Sequence, residues 1–462
     1  MTIQAMLVVS IIIIFILLVM EMPVFLAFLS GAFFFIIAGG GSFTWVSNTA
    51  VSSLSNFALL AIPLFTLAGN LMDKSGIAAK LVDFCSALLR KVKGGMGAII
   101  PVAAMFFGTI SGSGTATCAV LSALLVPRLE RMGWDKRYTA ALLAASGPLG
   151  YMIPPNMNAI MYAVVSNSSV AALFLAGLVP GIVWGLGYVV LNRVMYRNWW
   201  HEPSTEDIVE ITARQKAQLT ASAATSSLEA FEPVELKGTY WGDLLMTFKS
   251  GIAAFIAPVI VLGGIYGGIF TATEAGAVGA VYAVIVGFFI YKSFTLKSCY
   301  SVFKSTARTM GSMLIILPMV TIFTRILLLN GVPQLLANFF TSFDSRIIIL
   351  LLIDLIFLIS GMFLNTAILI FVLTPLLLPT ATVIGLDPIQ MGVILFASIG
   401  IGTITPPMAM DLFITSKISG VPILNMMKPL TPMIVFVCVP ILLLITFLPG
   451  FSLWLPSLLG YR

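Results

Sequence analysis

The chain has 462 residues, 59% of them hydrophobic and 9% charged, with a formal net charge of +6 and a mean hydropathy of +1.08. A soluble globular domain has about 45–50% apolar and about 25% charged residues, so this composition cannot cover a water-facing surface. It excludes a soluble enzyme, a nucleic-acid binder and a disordered scaffold, and it points to an all-α polytopic membrane protein whose solvent is the lipid bilayer. The four cysteines, Cys85, Cys118, Cys299 and Cys438, lie far apart and show neither metal-ligand spacing nor a disulfide pattern.

A bilayer crossing needs about 20 apolar residues. In chain order, such stretches first run over 3–20, 22–38 and 49–71. The first follows Met1 without a basic leader or a small-residue cleavage site, so it is expected to stay in the protein as a span. Residues 73–93 then place Ile77, Leu81, Phe84, Leu88 and Leu89 at helical spacing, which predicts an amphipathic arm lying along the interface. The apolar stretch 94–127 is interrupted by Ser111-Gly112-Ser113-Gly114-Thr115. Its second part, 116–127, makes only about 18 Å of helix against a hydrocarbon core of about 30 Å, so a re-entrant hairpin is expected. A span over 138–167 is broken at its middle, and 171–192 closes the first half. The polar linker 199–248 holds the only histidine, His201, and has the composition of a cytoplasmic surface helix.

The second half repeats the order: spans over 251–270, 273–291 and 308–330, a short arm over 331–344, a hairpin over 346–380, a broken span over 389–418 and a last span over 431–448. The hairpin is interrupted at Ser360-Gly361-Met362-Phe363-Leu364-Asn365-Thr366. Ten crossings and two hairpins put all of the 24 Lys and Arg except Arg325, Arg346 and Arg462 on one side. The positive-inside rule makes that side cytoplasmic and places both termini outside.

The halves match at nearly fixed offsets. Pro127, Gly133, Asp135, Ser146, Gly150, Pro154, Pro155 and Pro180 meet Pro379, Gly385, Asp387, Ser398, Gly402, Pro406, Pro407 and Pro432, each 252 residues on. Pro63, Thr66, Gly76 and Phe84 meet Pro318, Thr321, Gly331 and Phe339 at 255, and Ser111-Gly112 meets Ser360-Gly361 at 249. Equivalent elements lie an odd number of crossings apart, so the repeats over 1–198 and 249–462 are expected to be inverted, with a substrate site at discontinuous helices near the midplane.

Four polar interruptions carry the chemistry. The breaks read Ser146-Gly147-Pro148-Leu149-Gly150-Tyr151-Met152-Ile153-Pro154-Pro155-Asn156 and Ser398 to Gly402-Thr403-Ile404-Thr405-Pro406-Pro407. Tandem prolines remove two donors and push the preceding residue out of the α region. Freed backbone is tolerated at membrane depth only where it is buried in protein or lines a cavity. Carbonyls and hydroxyls there supply oxygen ligands for sodium, and the half-helix N-termini present NH groups to an anion. Pairing each hairpin tip with a break predicts two sodium sites, through Ser113, Gly150, Gly361, Gly402 and Thr405, flanking one anionic substrate. Among ionisable groups at membrane depth, Asp411 follows the second break and is a site candidate. Asp354 and Arg325 are read as structural, and Glu21 and Glu274 as lying at opposite interfaces.

The run from Gly108 to Pro180, with its SGSGTAT tip and GPLGYMIPPN break, resembles the large membrane subunit of the tripartite ATP-independent periplasmic (TRAP) transporters. So does the second half, ending TPLLLPTATVIGLDPIQMGVI and IGIGTITPPMAMDLF. The resemblance implies an elevator-type, sodium-driven importer of an organic acid, either a carboxylate or an acidic sugar, in a bacterial inner membrane with periplasmic termini. It also implies a small four-helix membrane subunit and a periplasmic substrate-binding protein as partners, and no cofactor beyond the coupling ions. Two departures stand out. The family's second tip commonly carries an aspartate where this chain has Asn365, and its second half-helix an asparagine where this chain has Asp411. Either the two side chains have exchanged places across one site, or Asp411 faces another part of the transport domain and the tip has lost its charge. Composition alone leaves open a stand-alone sodium/carboxylate symporter. A membrane-embedded enzyme would need a base at membrane depth beside Ser111 or Ser113, and the chain offers neither His nor Lys there and no P-loop.

Overall fold

The computed structural model describes residues 2–39, 43–92, 94–202, 211, 238–343 and 345–461. Lys93, Arg214, Lys216, Lys237, Asp344, Arg462 and most of the 199–248 linker, with its expected surface helix, lie outside the described residues. Among the described residues the regular structure is helical, apart from an isolated bridge between Trp134 and Trp200.

Among the described residues, eight helices are long and apolar enough to cross a membrane: Phe57–Lys74, Val170–Asn198, Tyr240–Tyr266, Ala272–Ile290, Leu296–Leu329, Arg346–Phe363, Thr366–Val383 and Ile423–Phe447. They include both arms of the second hairpin. The expected crossings over 3–20 and 22–38 form shorter helices, Ile3–Val19 and Val24–Ala38, separated by a turn that ends at Pro23. The expected span over 49–71 also differs. A helix over Phe43–Leu54 ends before Asn56, whose side chain accepts from the Ala58 amide and starts a new turn leading into Ala61–Lys74.

The residues that reveal the repeat are its punctuation. Gly133 and Gly385 both take positive φ, 83° and 76°, just after a hairpin's second arm, a conformation that costs glycine least. Asp135 and Asp387 then cap the two broken spans, accepting from Arg137 N at 2.7 Å and Ile389 N at 2.8 Å. Gly76 and Gly331, at φ 84° and 74°, open the arm helices Ile77–Leu89 and Val332–Thr341. The first arm helix is buried along most of its length against Tyr240–Tyr266 and Gly95–Ser111, so its apolar face meets protein.

The first hairpin is formed by Gly95–Ser111 and Gly114–Arg131, and the second by Arg346–Phe363 and Thr366–Val383. The expectation of a short arm ending at 127 is corrected. Arg128 and Arg131 continue the helix, and it reaches 18 residues, or about 27 Å at 1.5 Å per residue. The broken spans form the core. Every residue from Tyr138 to Ser146 and from Gln390 to Gly402 is buried, as expected of helices that are apolar all round. Around them, Leu296–Leu329 packs on Val24–Ala38, Phe43–Leu54, Ala61–Lys74 and Thr366–Val383.

Candidate functional site

Each hairpin tip rests on the break of its own repeat. In the first repeat, Ser113 caps the second arm by accepting from Ala116 N, and Thr117 Oγ1 donates to the Ser113 carbonyl at 2.8 Å. A methyl group built on Gly150 would lie 2.9 Å from that carbonyl oxygen, and one built on Gly112 would lie 2.6 Å from the Pro155 carbonyl. The Met157 amide donates to Gly112 O at 3.3 Å. In the second repeat, a methyl group on Gly402 would lie 2.5 Å from the Gly361 carbonyl carbon, and the Met408 amide donates to Met362 O at 3.2 Å. Gly150 and Gly402 are repeat equivalents. Both leave room for backbone to touch backbone, which explains the glycines.

The repeats also interlock. The half-helix Met157–Ser166 packs on Thr366–Val383, and the half-helix Met410–Ser419 packs on Gly114–Arg131. Each contact is the other's image at an offset of 252. Where the breaks cross, a methyl group on Gly400 would lie 2.8 Å from Pro148 Cβ, and Pro148 and Gly400 are themselves 252 apart. Both tandem prolines, Pro154-Pro155 and Pro406-Pro407, have a cis bond.

Of the expected ion ligands, Ser113 meets Gly150, and Gly361 meets Gly402. Thr405 does not join them through its side chain, because its hydroxyl turns back on its own helix and donates to Ile401 O at 2.7 Å. Ser111 Oγ and Thr117 Oγ1 stand 3.2 Å apart behind the first tip, and Thr115 Oγ1 is 3.0 Å from Ser113 Oγ. Gly114 faces the Tyr151 ring. Ser146 Oγ and Ser398 Oγ, repeat equivalents, are buried without a hydrogen-bond partner among the described residues, as are the equivalents Ser122 Oγ and Thr374 Oγ1. Ser360 and Thr366 flank the second tip half-buried.

Of the two readings of Asn365 and Asp411, the contacts favour the one in which Asp411 faces another part of the protein. Asn365 is exposed at the tip and caps Thr366–Val383, accepting from Ala367 N at 3.0 Å. It thereby does for the second hairpin what its equivalent Ser113 does for the first. Asp411 is 0% exposed and turns the other way. Its Oδ2 accepts from Thr403 Oγ1 at 2.8 Å, its amide donates to Thr403 O at 3.0 Å, and a methyl group on Gly147 would lie 2.8 Å from Oδ2. Asp411 thus staples the second break shut and faces the first. The amide in a cap position was visible in the sequence. The direction of Asp411 was not, because it depends on how the repeats interlock.

Arg325 lies over the Trp45 ring, 6.0 Å from its centroid, and Glu274 closes a capping box with Thr271. Among the described residues, no three His, Cys, Asp or Glu side chains cluster as metal ligands.

Discontinuous helices facing hairpin tips in the core of a multi-pass helical protein define a membrane transporter. The family model of the tripartite ATP-independent periplasmic transporter DctM component matches residues 11–451, and the chain belongs to that family, as a large permease subunit and not an enzyme. It is 32% identical over 433 residues to the C4-dicarboxylate TRAP transporter large permease protein DctM of Pseudomonas aeruginosa, covering 94% of each chain. It is 31% identical over 430 residues to the sialic acid TRAP transporter large permease protein SiaM of Vibrio cholerae, covering 93% of each. The isethionate TRAP transporter permease protein DctMQ of Oleidesulfovibrio alaskensis is 31% identical over 420 residues, which are 91% of this chain and 61% of that one. The fold is similar to the crystal structure of the Alcanivorax borkumensis YdaH transporter, with a TM-score of 0.62 at 14% identity over 88% of this chain and 89% of that one.

Proposed function

We propose that the chain imports an organic acid across a bacterial inner membrane, coupled to sodium, by an elevator movement of two inverted repeats with periplasmic termini. The observation that supports it most is the pair of backbone contacts, Ser113 with Gly150 and Gly361 with Gly402, each made at a helix break. Carbonyl oxygens and hydroxyls gathered at such breaks suit a hard monovalent cation, and the orphaned hydroxyls of Ser146 and Ser398 add donors of the same kind. The half-helices Met157–Ser166 and Met410–Ser419 open on these sites and favour an anion at their N-termini. The relatives are named for dicarboxylate, sialic acid and isethionate transport, and an organic acid is the class these share.

A four-helix membrane subunit and a periplasmic binding protein complete the transporter in this proposal. One relative's name, DctMQ, joins two components in a chain of which this one spans 61%. The test is uptake into vesicles that hold the permease and its small subunit, with loaded binding protein outside. An inward sodium gradient should drive accumulation, and Ser113→Leu should abolish it while the protein still assembles. Uptake unchanged without sodium would overturn the coupling. Saturable uptake by the permease alone would favour a stand-alone symporter.

A further inference from the structure

Asp354 lies on the first arm of the second hairpin, six residues before Ser360, and is 5% exposed. Among the described residues its hydrogen-bonding neighbour is the Thr446 hydroxyl on the last span, 3.1 Å from Oδ1 and 2.9 Å from Oδ2. The same hydroxyl lies 2.9 Å from the Leu442 carbonyl oxygen. Beside it, Gln390 Nε2 donates to the carbonyls of Ile445 at 2.9 Å and Thr446 at 3.0 Å, which fixes the end of the last span.

An ionised Asp354 is short of donors. A threonine hydroxyl has a single proton and accepting lone pairs, and an ionised carboxylate only accepts. If Asp354 is ionised, the single Thr446 hydroxyl proton must serve both of its oxygens, inside a packed core where an under-solvated charge is costly, whereas Leu442 O lies within the helix Val439–Phe447 and does not depend on that hydroxyl. One added proton on Asp354 resolves it. The acid then donates to Thr446 Oγ1, and Thr446 donates to Leu442 O.

Among the described residues no cation pairs with Asp354 instead. The helices that bear on this face, Thr366–Val383, Pro388–Gly402 and Val439–Phe447, contain no charged, His, Cys or Tyr residue. On its own helix the one other ionisable group is Arg346, two turns away, whose guanidinium donates to Gly385 O at 3.3 Å. Asp387, the cap of Pro388–Gly402, lies one turn before Gln390 and is an acid, not a cation. Asp411 is likewise buried against a threonine hydroxyl, but two other buried acids differ from Asp354 directly. Asp83 and Asp243 are each 6% exposed, and each is paired with an arginine, Arg128 and Arg90.

We propose that Asp354 is a proton-binding site that latches the second hairpin to the last span: a neutral acid while the arm is seated, ionised when the arm is released. The site is separate from the tips and does not depend on what occupies them. Sodium coupling and this latch therefore stand or fall separately.

The test uses the full chain in lipid nanodiscs, with infrared spectra of protein carrying carbon-13 aspartate. At pH 7 the wild type should show the carbonyl stretch of a neutral carboxylic acid with a component that Asp354→Asn lacks. Superimposable spectra in that region would overturn the proposal. Hydrogen exchange gives a second readout. Protection of 346–363 should fall about tenfold between pH 6 and pH 9 in the wild type and stay level in Asp354→Asn. Equal protection at both pH values in the wild type would also overturn it. Should Asp354→Asn fail to assemble, Thr446→Val removes the acceptor of the acid proton. The acid band must then move to higher frequency, and an unmoved band counts against the site.

Discussion

From Ser146 to Asn156 the first break is buried throughout, and Asn156 caps the following half-helix, accepting from Ala159 N at 2.7 Å. The second break is exposed at Pro407 and Met408, and its half-helix has no side-chain cap. Met408 stands at the position equivalent to Asn156, and Asp411 at the position equivalent to Ala159. The repeats therefore share the backbone event, a tandem-proline break against a hairpin tip, and differ in how the freed groups are satisfied. A neutral cap orders the first break locally. In the second, an acid one turn into the half-helix reaches back to Thr403 and is enclosed by the other repeat. Backbone geometry tolerates little change across the two copies, whereas side-chain satisfaction has many solutions.

The largest effect that would test this shared geometry is at the equivalent glycines. A methyl group at Gly402 or Gly150 meets backbone, which cannot swing aside, and overpacking costs about 1–3 kcal/mol. Gly402→Ala and Gly150→Ala should both lower transport about tenfold or more, whereas Gly263→Ala, with nothing within 4 Å of the new methyl, should be silent. Uptake unaffected at either break glycine would show that the tips do not need their observed seats. Next in size is Asn156→Ala. It removes the cap of a buried half-helix at a cost of about 0.5–2 kcal/mol, to be read as a fall in thermal midpoint.

A smaller difference is expected at the acid. Asp411→Asn keeps an acceptor for Thr403 and should retain the fold, while Asp411→Ala leaves a buried hydroxyl with one partner fewer and should melt lower by about 1 kcal/mol equivalent. Equal midpoints would mean that the Thr403 contact does not hold the second break. The smallest effect belongs to Asn365→Ala, at an exposed cap, which should cost no more than the lower end of the cap range.

Much of this was legible in the sequence because glycine, proline and capping aspartate act locally. Gly133, Asp135, Pro154 and Pro155 fix turns and breaks wherever they stand, so their recurrence at 252 residues gave the repeat and located both breaks. Helix lengths were less legible. The first hairpin's second arm runs on through Arg128, which pairs with Asp83 at 3.2 Å, a partner 45 residues away. The aim of Asp411 and the Asp354–Thr446 contact were not legible at all, since both join elements brought together only by packing.

The contact between Pro148 and Gly400 has a consequence for how such an architecture can change. In a dimer of identical chains, the residue on a two-fold axis faces its own copy, and a bulky ring can only meet another ring. Joining the copies in one chain removes that identity. A proline on one side can then fill the space left by a glycine on the other. The crossing of the breaks is a knob and a hole, a fit open to two linked copies and closed to a symmetric pair.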